Sequence, residues 1–276
     1  MKPHLTRVGV PPKILLAVLA LATFPGAAVA QFTDTFDTID PAWVTNRYDP
    51  AGFASVFYGG DNRLLLTIDQ TGSAANRLPI YSAPFYNTQG RQRDGGITGL
   101  WTLSAQVYVS SAFDTTTGAL VKTDLWGHTG TTGAGGAYMI LGFTNESLTA
   151  ANILDPTAAD RAFRFQAFDV NTGNWIDLGV PTGFAFDTWH MLTGTSTGTS
   201  FEYRIDGTLV GTIATTAGDD LLSAMIQGYN FGQTDSYSVY WDNVTASAVP
   251  EPATSALFAA LAALGLVGWR RRRAAH

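Results

Sequence analysis

Hydrolysis by paired carboxylates needs two acids about 5 Å apart, or roughly 6.5–9.5 Å apart for direct attack by water. Between Gln31 and Ala248 the chain offers only two glutamates, Glu146 and Glu202, among 19 aspartates. Neither glutamate has an aspartate two residues on, and no spacing singles out one aspartate pair. The four histidines are spread along the whole chain and cysteine is absent, so zinc clusters, disulfides and thiol catalysis lack their ligands. The segment GTSTG (Gly194–Gly198) matches the G-x-S-x-G nucleophile elbow, with Asp187 and His190 upstream. That elbow works at a strand-to-helix corner of a parallel sheet, with the serine ahead of its acid and base. Here Ser196 lies in a Thr/Gly hairpin and follows both. No catalytic residue is expected.

Binding is better supplied. The run GHTGTTGAGGAY (Gly127–Tyr138) lacks the Gly-Lys-Ser/Thr of a phosphate loop and reads as a loop between strands. Trp126 stands at its mouth, and an exposed indole beside Asp124 and His128 could stack on a sugar ring. The alternative is a tryptophan folded back onto the sheet. Trp175, Trp189 and Trp241 fall in regular strand patterns and read as core.

The elements that must carry these residues are strands. Short β-branched and aromatic runs alternate with Gly, Asn, Asp and Thr turns, with no sustained helical period. Strands are expected at Arg63–Asp69, Thr98–Val109, Tyr138–Thr144, Arg161–Val170, Trp175–Leu178, Trp189–Thr195, Phe201–Asp206, Leu209–Ala214, Ala224–Phe231 and Tyr237–Ala246. In RAFRFQAF, Phe163, Phe165 and Ala167 share a dry face, leaving Arg164 and Gln166 on a wet one. Turns are expected at Asn171-Thr172-Gly173 and at Asp206-Gly207, a dipeptide suited to a tight hairpin. With no repeat and no internal linker, residues 31–248 read as one all-β domain, an antiparallel two-sheet sandwich of jelly-roll type.

Charge narrows the partners. Only 14% of residues are charged, too few for a coiled coil or an acidic disordered tail. Residues 31–249 hold 9 basic and 21 acidic side chains. A body this acidic repels phosphate backbones, so nucleic acid is not an expected partner.

Both ends read as addresses. Lys2, Arg7 and Lys13 precede the apolar run Ile14–Phe24 and then Ala28-Val29-Ala30. That order is a secretory signal peptide (1–30) with small residues Ala28 and Ala30 before the cut, implying the Sec translocon and signal peptidase as partners. At the other end, residues 249–276 read Val249-Pro250-Glu251-Pro252, an uncharged stretch Ala253–Trp269, then Arg270, Arg271, Arg272 and Arg273. Seventeen residues rise roughly 25 Å, enough for a short transmembrane helix. The arginines hold that end in the cytoplasm and put the body across the inner membrane.

This tail resembles the PEP-CTERM sorting signal of Gram-negative bacteria. The resemblance implies that a membrane enzyme, exosortase, recognises it, cuts near the triplet, and releases or transfers the protein to the cell surface or extracellular matrix. Such bacteria usually make exopolysaccharide.

The body resembles the concanavalin A-like, laminin-G-like jelly roll, through FDTWHMLTGTSTGTSFEYRIDGTLVGT (Phe186–Thr212), YSVYWDNVTAS near the end and FTDTFDTIDPAW at the start. Hydrolases of that fold place E-x-D-x-x-E on one strand, so that alternate side chains share the concave face; this chain has no such run. Its lyases use a tyrosine or lysine base, an arginine and a glutamine–histidine strand. Lys122 is the body's only lysine, and no tyrosine stands two residues before it. The resemblance also implies a structural calcium tying first strand to last, at Asp34 and Asp242. The expectation is therefore an exported, non-enzymatic surface or biofilm-matrix protein whose jelly roll binds exopolysaccharide. A glycoside hydrolase or lyase and a purely structural matrix protein stand as alternatives.

Overall fold

The computed structural model describes residues 30–70, 83–114, 118–130, 136–147, 149, 158–215 and 220–249. Residues 1–29 of the expected signal peptide, Ala28 among them, the triplet Pro250–Pro252, the segment 253–269 and the arginines 270–273 lie outside the described residues, whereas Ala30 begins the first strand. So does the middle of the glycine-rich run.

Every described strand pairing is antiparallel. The strands are β1 (Ala30–Asp34), β2 (Val44–Asn46), β3 (Gly52–Tyr58), β4 (Asp61–Ile68), β5 (Thr88–Ile97), β6 (Trp101–Val109), β7 (Lys122–Thr129) and β8 (Ala137–Thr144). They continue as β9 (Arg164–Asp169), β10 (Asn174–Gly179), β11 (Thr188–Ser196), β12 (Ser200–Ile205), β13 (Thr208–Ala214), β14 (Leu221–Tyr229) and β15 (Tyr237–Ala248). One sheet runs β13-β12-β11-β6-β15-β4-β3, with β1 added beside β15; the other runs β10-β9-β8-β7-β14-β5-β2. This is the two-layer jelly-roll sandwich that the sequence led us to expect.

Alternation builds the core. In β6, Trp101, Leu103, Ala105, Val107 and Val109 are all buried, while Thr102, Ser104, Gln106 and Tyr108 face outward. Leu64, Leu66 and Ile68 of β4, Phe201, Tyr203 and Ile205 of β12, and Leu141, Phe143, Phe165 and Ala167 from the facing sheet complete the same cluster. Period-two burial on both sheets is what lets two layers share one interior.

Turns fall where expected. Asp206 (φ 51°) and Gly207 (φ 79°) make the tight β12–β13 hairpin, and Gly173 (φ 71°) closes the β9–β10 turn. The run Thr98–Val109 is not one strand. It breaks at Gly99 (φ 82°), which turns β5 into β6.

The largest departure is β7. The sequence placed Trp126 at the mouth of a loop, yet Trp126 sits mid-strand, in a β7 hydrogen-bonded to β8 on one side and β14 on the other. Lys122, Asp124, Trp126 and His128 alternate on its outer face, so the segment is written in polar residues although it runs through the sheet's centre.

Candidate functional site

Outer-face side chains of the seven-stranded sheet are normally wet. Here Lys122, Asp124 and Trp126 are almost fully buried. Each neighbouring element supplies part of the cover. Phe168 rises from β9, Trp175 from β10, Tyr229 from the end of β14, and Phe85 from the single helical turn Pro84–Tyr86. Together with Thr88, Gly173 and Glu146 they enclose a hollow of about 300 Å³. Gly142 of β8 faces Asp124, and a Cβ there would collide with its carboxylate and with Thr123 O. Only glycine lets the carboxyl lie across the strand.

The floor is charged. Lys122 Nζ stands 3.2 Å from Glu146 Oε2, which also accepts from Thr144 Oγ1 at 3.1 Å. The same ammonium lies 3.9 Å from the Trp175 ring centroid and 5.4 Å from that of Tyr229, an aromatic cradle for a desolvated cation. Burial pushes the Asp124 carboxyl from 3.8 up to about 7. Lys122 pulls it down, Glu146 pushes it up, and the Gln166 amide and Trp126 indole, facing it, lower it. Neither donor closes to a full hydrogen bond. Asp124 Oδ1, Trp126 Nε1 and Gln166 Nε2 are each buried without a bonded partner, and such atoms are costly unless something fills their place. What the arrangement can do is recognise hydroxyls: an ammonium donates, carboxyl oxygens accept, and aromatic faces flank them.

The structure brings Asp124, Trp126 and His128 onto one strand face, not beside a loop mouth, and not into one hollow. His128 stacks on Tyr138 at 5.2 Å in a second hollow of about 390 Å³ with Asn46, Arg47, Tyr86, Gln92 and Met225. Burial and the Arg47 charge lower its pKa. Trp126 is 1% exposed, the folded-back alternative and not the open indole, because Phe85 at 5.5 Å, Tyr138 at 5.5 Å and Arg47 at 4.6 Å cover it. The more accessible ring is Trp175, which was assigned to the core. Its strand position faces the hollow instead, opposite Phe168. Gln166, placed on a wet face, is buried for the same reason. Trp189 likewise lies on an outer face, against Tyr108 and Arg63, while Trp241 is core as expected.

The calcium ligands implied by resemblance do not fit a cation. Asp34 Oδ1 accepts from Phe36 N at 2.9 Å and Oδ2 from Trp43 Nε1 at 2.6 Å, with Arg93 at 3.5 Å. Asp242 is fully buried, paired to Arg63 and bonded by Asn243 N. The two carboxylates share no partner, and a guanidinium already answers each. Among the described residues no group of three or more His, Asp or Glu is placed to hold a metal.

Ser196 ends β11, buried, in the β11–β12 hairpin; no strand-to-helix corner is present there. His190 is pinned by Asp206 Oδ2 at 2.7 Å and Ala185 O at 2.8 Å and stacks on Phe184 at 4.6 Å, a structural placement.

Three solved structures are similar to this chain as follows. A "Sialidase" is 11% identical (TM-score 0.48) and covers 82% of this chain, which spans only 19% of its length. A Bacteroides ovatus mixed linkage glucan GH16 protein, in complex with G4G4G3G product, is 13% identical (TM-score 0.48), covering 78% of this chain and 99% of its own. Domain 4 of AbnA, a GH43 extracellular arabinanase from Geobacillus stearothermophilus in complex with arabinotriose, is 10% identical (TM-score 0.44), covering 83% and 97%. No curated protein matches the chain. Among the described residues no helix is long and apolar enough to cross a membrane. Residues 248–273 match the PEP-CTERM protein-sorting motif, so the chain carries the C-terminal signal of an exported, exosortase-processed surface protein.

Proposed function

We propose that the jelly-roll body is a non-catalytic module that binds a neutral segment of exopolysaccharide in the hollow between Trp175, Phe85 and the β7 floor. The observation that supports this most is a cavity with aromatic walls whose buried floor presents Lys122, Asp124 and Glu146. Aromatic faces suit the apolar side of a pyranose ring, and mixed donors and acceptors suit its hydroxyls. The acidic body disfavours an anionic polymer. Delivery by the signal peptide and the sorting tail would place the module where such polymer accumulates, transiently anchored in the inner membrane and then at the surface or in the matrix. Titrating the exported protein with the host's own exopolysaccharide should shift its tryptophan emission, and Trp175→Ala should abolish that shift. An unchanged spectrum with the wild-type protein refutes the proposal and leaves a purely structural matrix role, which deletion and a biofilm-cohesion assay would show. N-terminal sequencing of exported protein should begin at Gln31.

One observation favours a second reading. Asp124 and Glu146 line the same cavity, and an acid held protonated near neutrality beside a second carboxyl is how hydrolases divide acid from base. Against it, the alternate outer positions of β7 are Lys122, Asp124 and Trp126, with one carboxylate where the hydrolase run has three acids. Lys122, weighed as a lyase base, is engaged by Glu146 and two rings. Reducing ends released from glucans or exopolysaccharide, and lost in Asp124→Asn, would establish the enzyme.

A further inference from the structure

We infer that Arg47 and the Phe85–Tyr86 turn form a ridge across the seven-stranded sheet, so that the hollow over Lys122 and Asp124 takes the end of a glycan chain and not its middle; this rests on the carbohydrate reading above.

The outer face carries two hollows on opposite sides of Trp126. One gathers Lys122, Phe168, Trp175 and Tyr229 near the start of β7; the other gathers Asn46, Gln92, Tyr138 and His128 near its end. An extended groove would join them over the indole. Arg47 prevents it. Its guanidinium lies 4.6 Å from the Trp126 ring centroid and 5.0 Å from that of Tyr86. Nη1 donates to Thr88 Oγ1 at 3.1 Å and to Gln227 Oε1 at 2.9 Å, so the side chain is fastened to β5 and β14 together.

Arg47 itself holds φ at 60°, a conformation costly for a residue with a Cβ. Strain of that kind persists only where surrounding contacts enforce it. On the other flank Phe85 packs 5.5 Å from Trp126 and 4.7 Å from Phe168, closing the roof. A polymer crossing this line would have to displace a guanidinium held by two hydrogen bonds and two rings. A chain terminus need not cross it. It enters past Trp175 and stops against the ridge, where Lys122 and Asp124 meet the extra hydroxyl that only a terminal unit has.

The consequence is a count of ends, not of mass. Wild-type protein and two variants, Arg47→Ala and Tyr86→Ala, are titrated with the host exopolysaccharide, intact and after partial acid hydrolysis, at equal sugar mass. Tyr86→Ala removes one side of the ridge and one of the two rings that hold the Arg47 guanidinium in place, which loosens the barrier and covers the case of an Arg47 variant that fails to fold. Because sites scale with ends, chains about tenfold shorter should, well below saturation, raise wild-type occupancy about tenfold, and should lower the sugar mass needed for half-saturation about tenfold. The variants should bind intact and shortened polymer alike. Wild-type binding indifferent to chain length, or variants that follow the wild type, overturns the ridge while leaving the glycan site standing. Wild-type binding to neither preparation removes the carbohydrate reading, and the ridge with it.

Discussion

Replacing Asp124 by asparagine should stabilise the protein, by an amount that grows with pH. In the unfolded chain this carboxyl ionises near 3.8; buried beside Glu146 it keeps its proton up to about 7. The folded state therefore binds more protons than the unfolded state between those values. Stability must then fall as pH rises, by at most about 1.4 kcal/mol per pH unit from this group. Below about pH 4 both states are protonated and the cost vanishes. Above pH 7 it is complete, on the order of 4 kcal/mol for a rise from 3.8 to about 7. Asparagine keeps the shape and cannot ionise. Asp160, Asp169 and Asp187, whose pKa values are lowered, lose their contribution toward acid instead, but in both proteins alike. Urea unfolding from pH 4 to pH 8 should show the two free energies diverging from a constant offset to a further gap of about 4 kcal/mol. Parallel curves would refute the burial argument for this site.

Three further outcomes follow from named contacts. Arg63→Met leaves Asp242 buried and uncompensated and should cost about 3–5 kcal/mol at neutral pH. The loss should shrink toward acid as Asp242 takes up a proton, and Asp242→Asn should restore much of it in thermal melts. EDTA and added calcium should leave the wild-type Tm unmoved, because Arg63 and the donors around Asp34 occupy both carboxylates; a calcium-dependent rise would overturn that. Gly142→Ala should lower Tm and weaken glycan binding together, since its methyl meets the Thr123 carbonyl oxygen as well as the Asp124 carboxylate; binding lost at unchanged Tm would refute the backbone clash. Calorimetric titration beside a melting curve follows the two.

How legible the fold was depended on which faces were dry. β6 and β12 announce themselves because every second residue is apolar and the alternate ones, Tyr108 apart, are Ser, Thr, Gln, Glu or Arg; β15 keeps the rhythm on either side of its irregularity at Asp242-Asn243. The Asp206-Gly207 hairpin was legible for a local reason, the need for positive φ at both positions. β7 was missed because its outer face lines a cavity and carries Lys, Asp, Trp and His, a pattern that local hydropathy assigns to a loop. The same logic misplaced Trp175: strand periodicity shows that a face is chosen, not which face has a roof. Phe85 and Arg47 reach the site from about 40 residues and more away along the chain, and nothing in their neighbours' types foretells it. Asp34, implied as a calcium ligand only by resemblance, has a local role that its spacing carries: an aspartate two residues before a positive-φ Phe36 accepts from that backbone N–H, and it also takes the Trp43 indole.

The pairing of β1 with β15 joins Asp34 to Val244 and Ala30 to Ser247, the opening of the body to its close. A polypeptide threaded outward from its amino end emerges with β1 first and β15 last, so the seam that seals the eight-stranded sheet has to wait until nearly all of the body has crossed. Until then β6 and β4 have no neighbour between them and the interior stands open along that line. Completion of the sandwich thus waits on the last strand, which sets Ala30 beside Ser247 at one end of the β1–β15 ribbon.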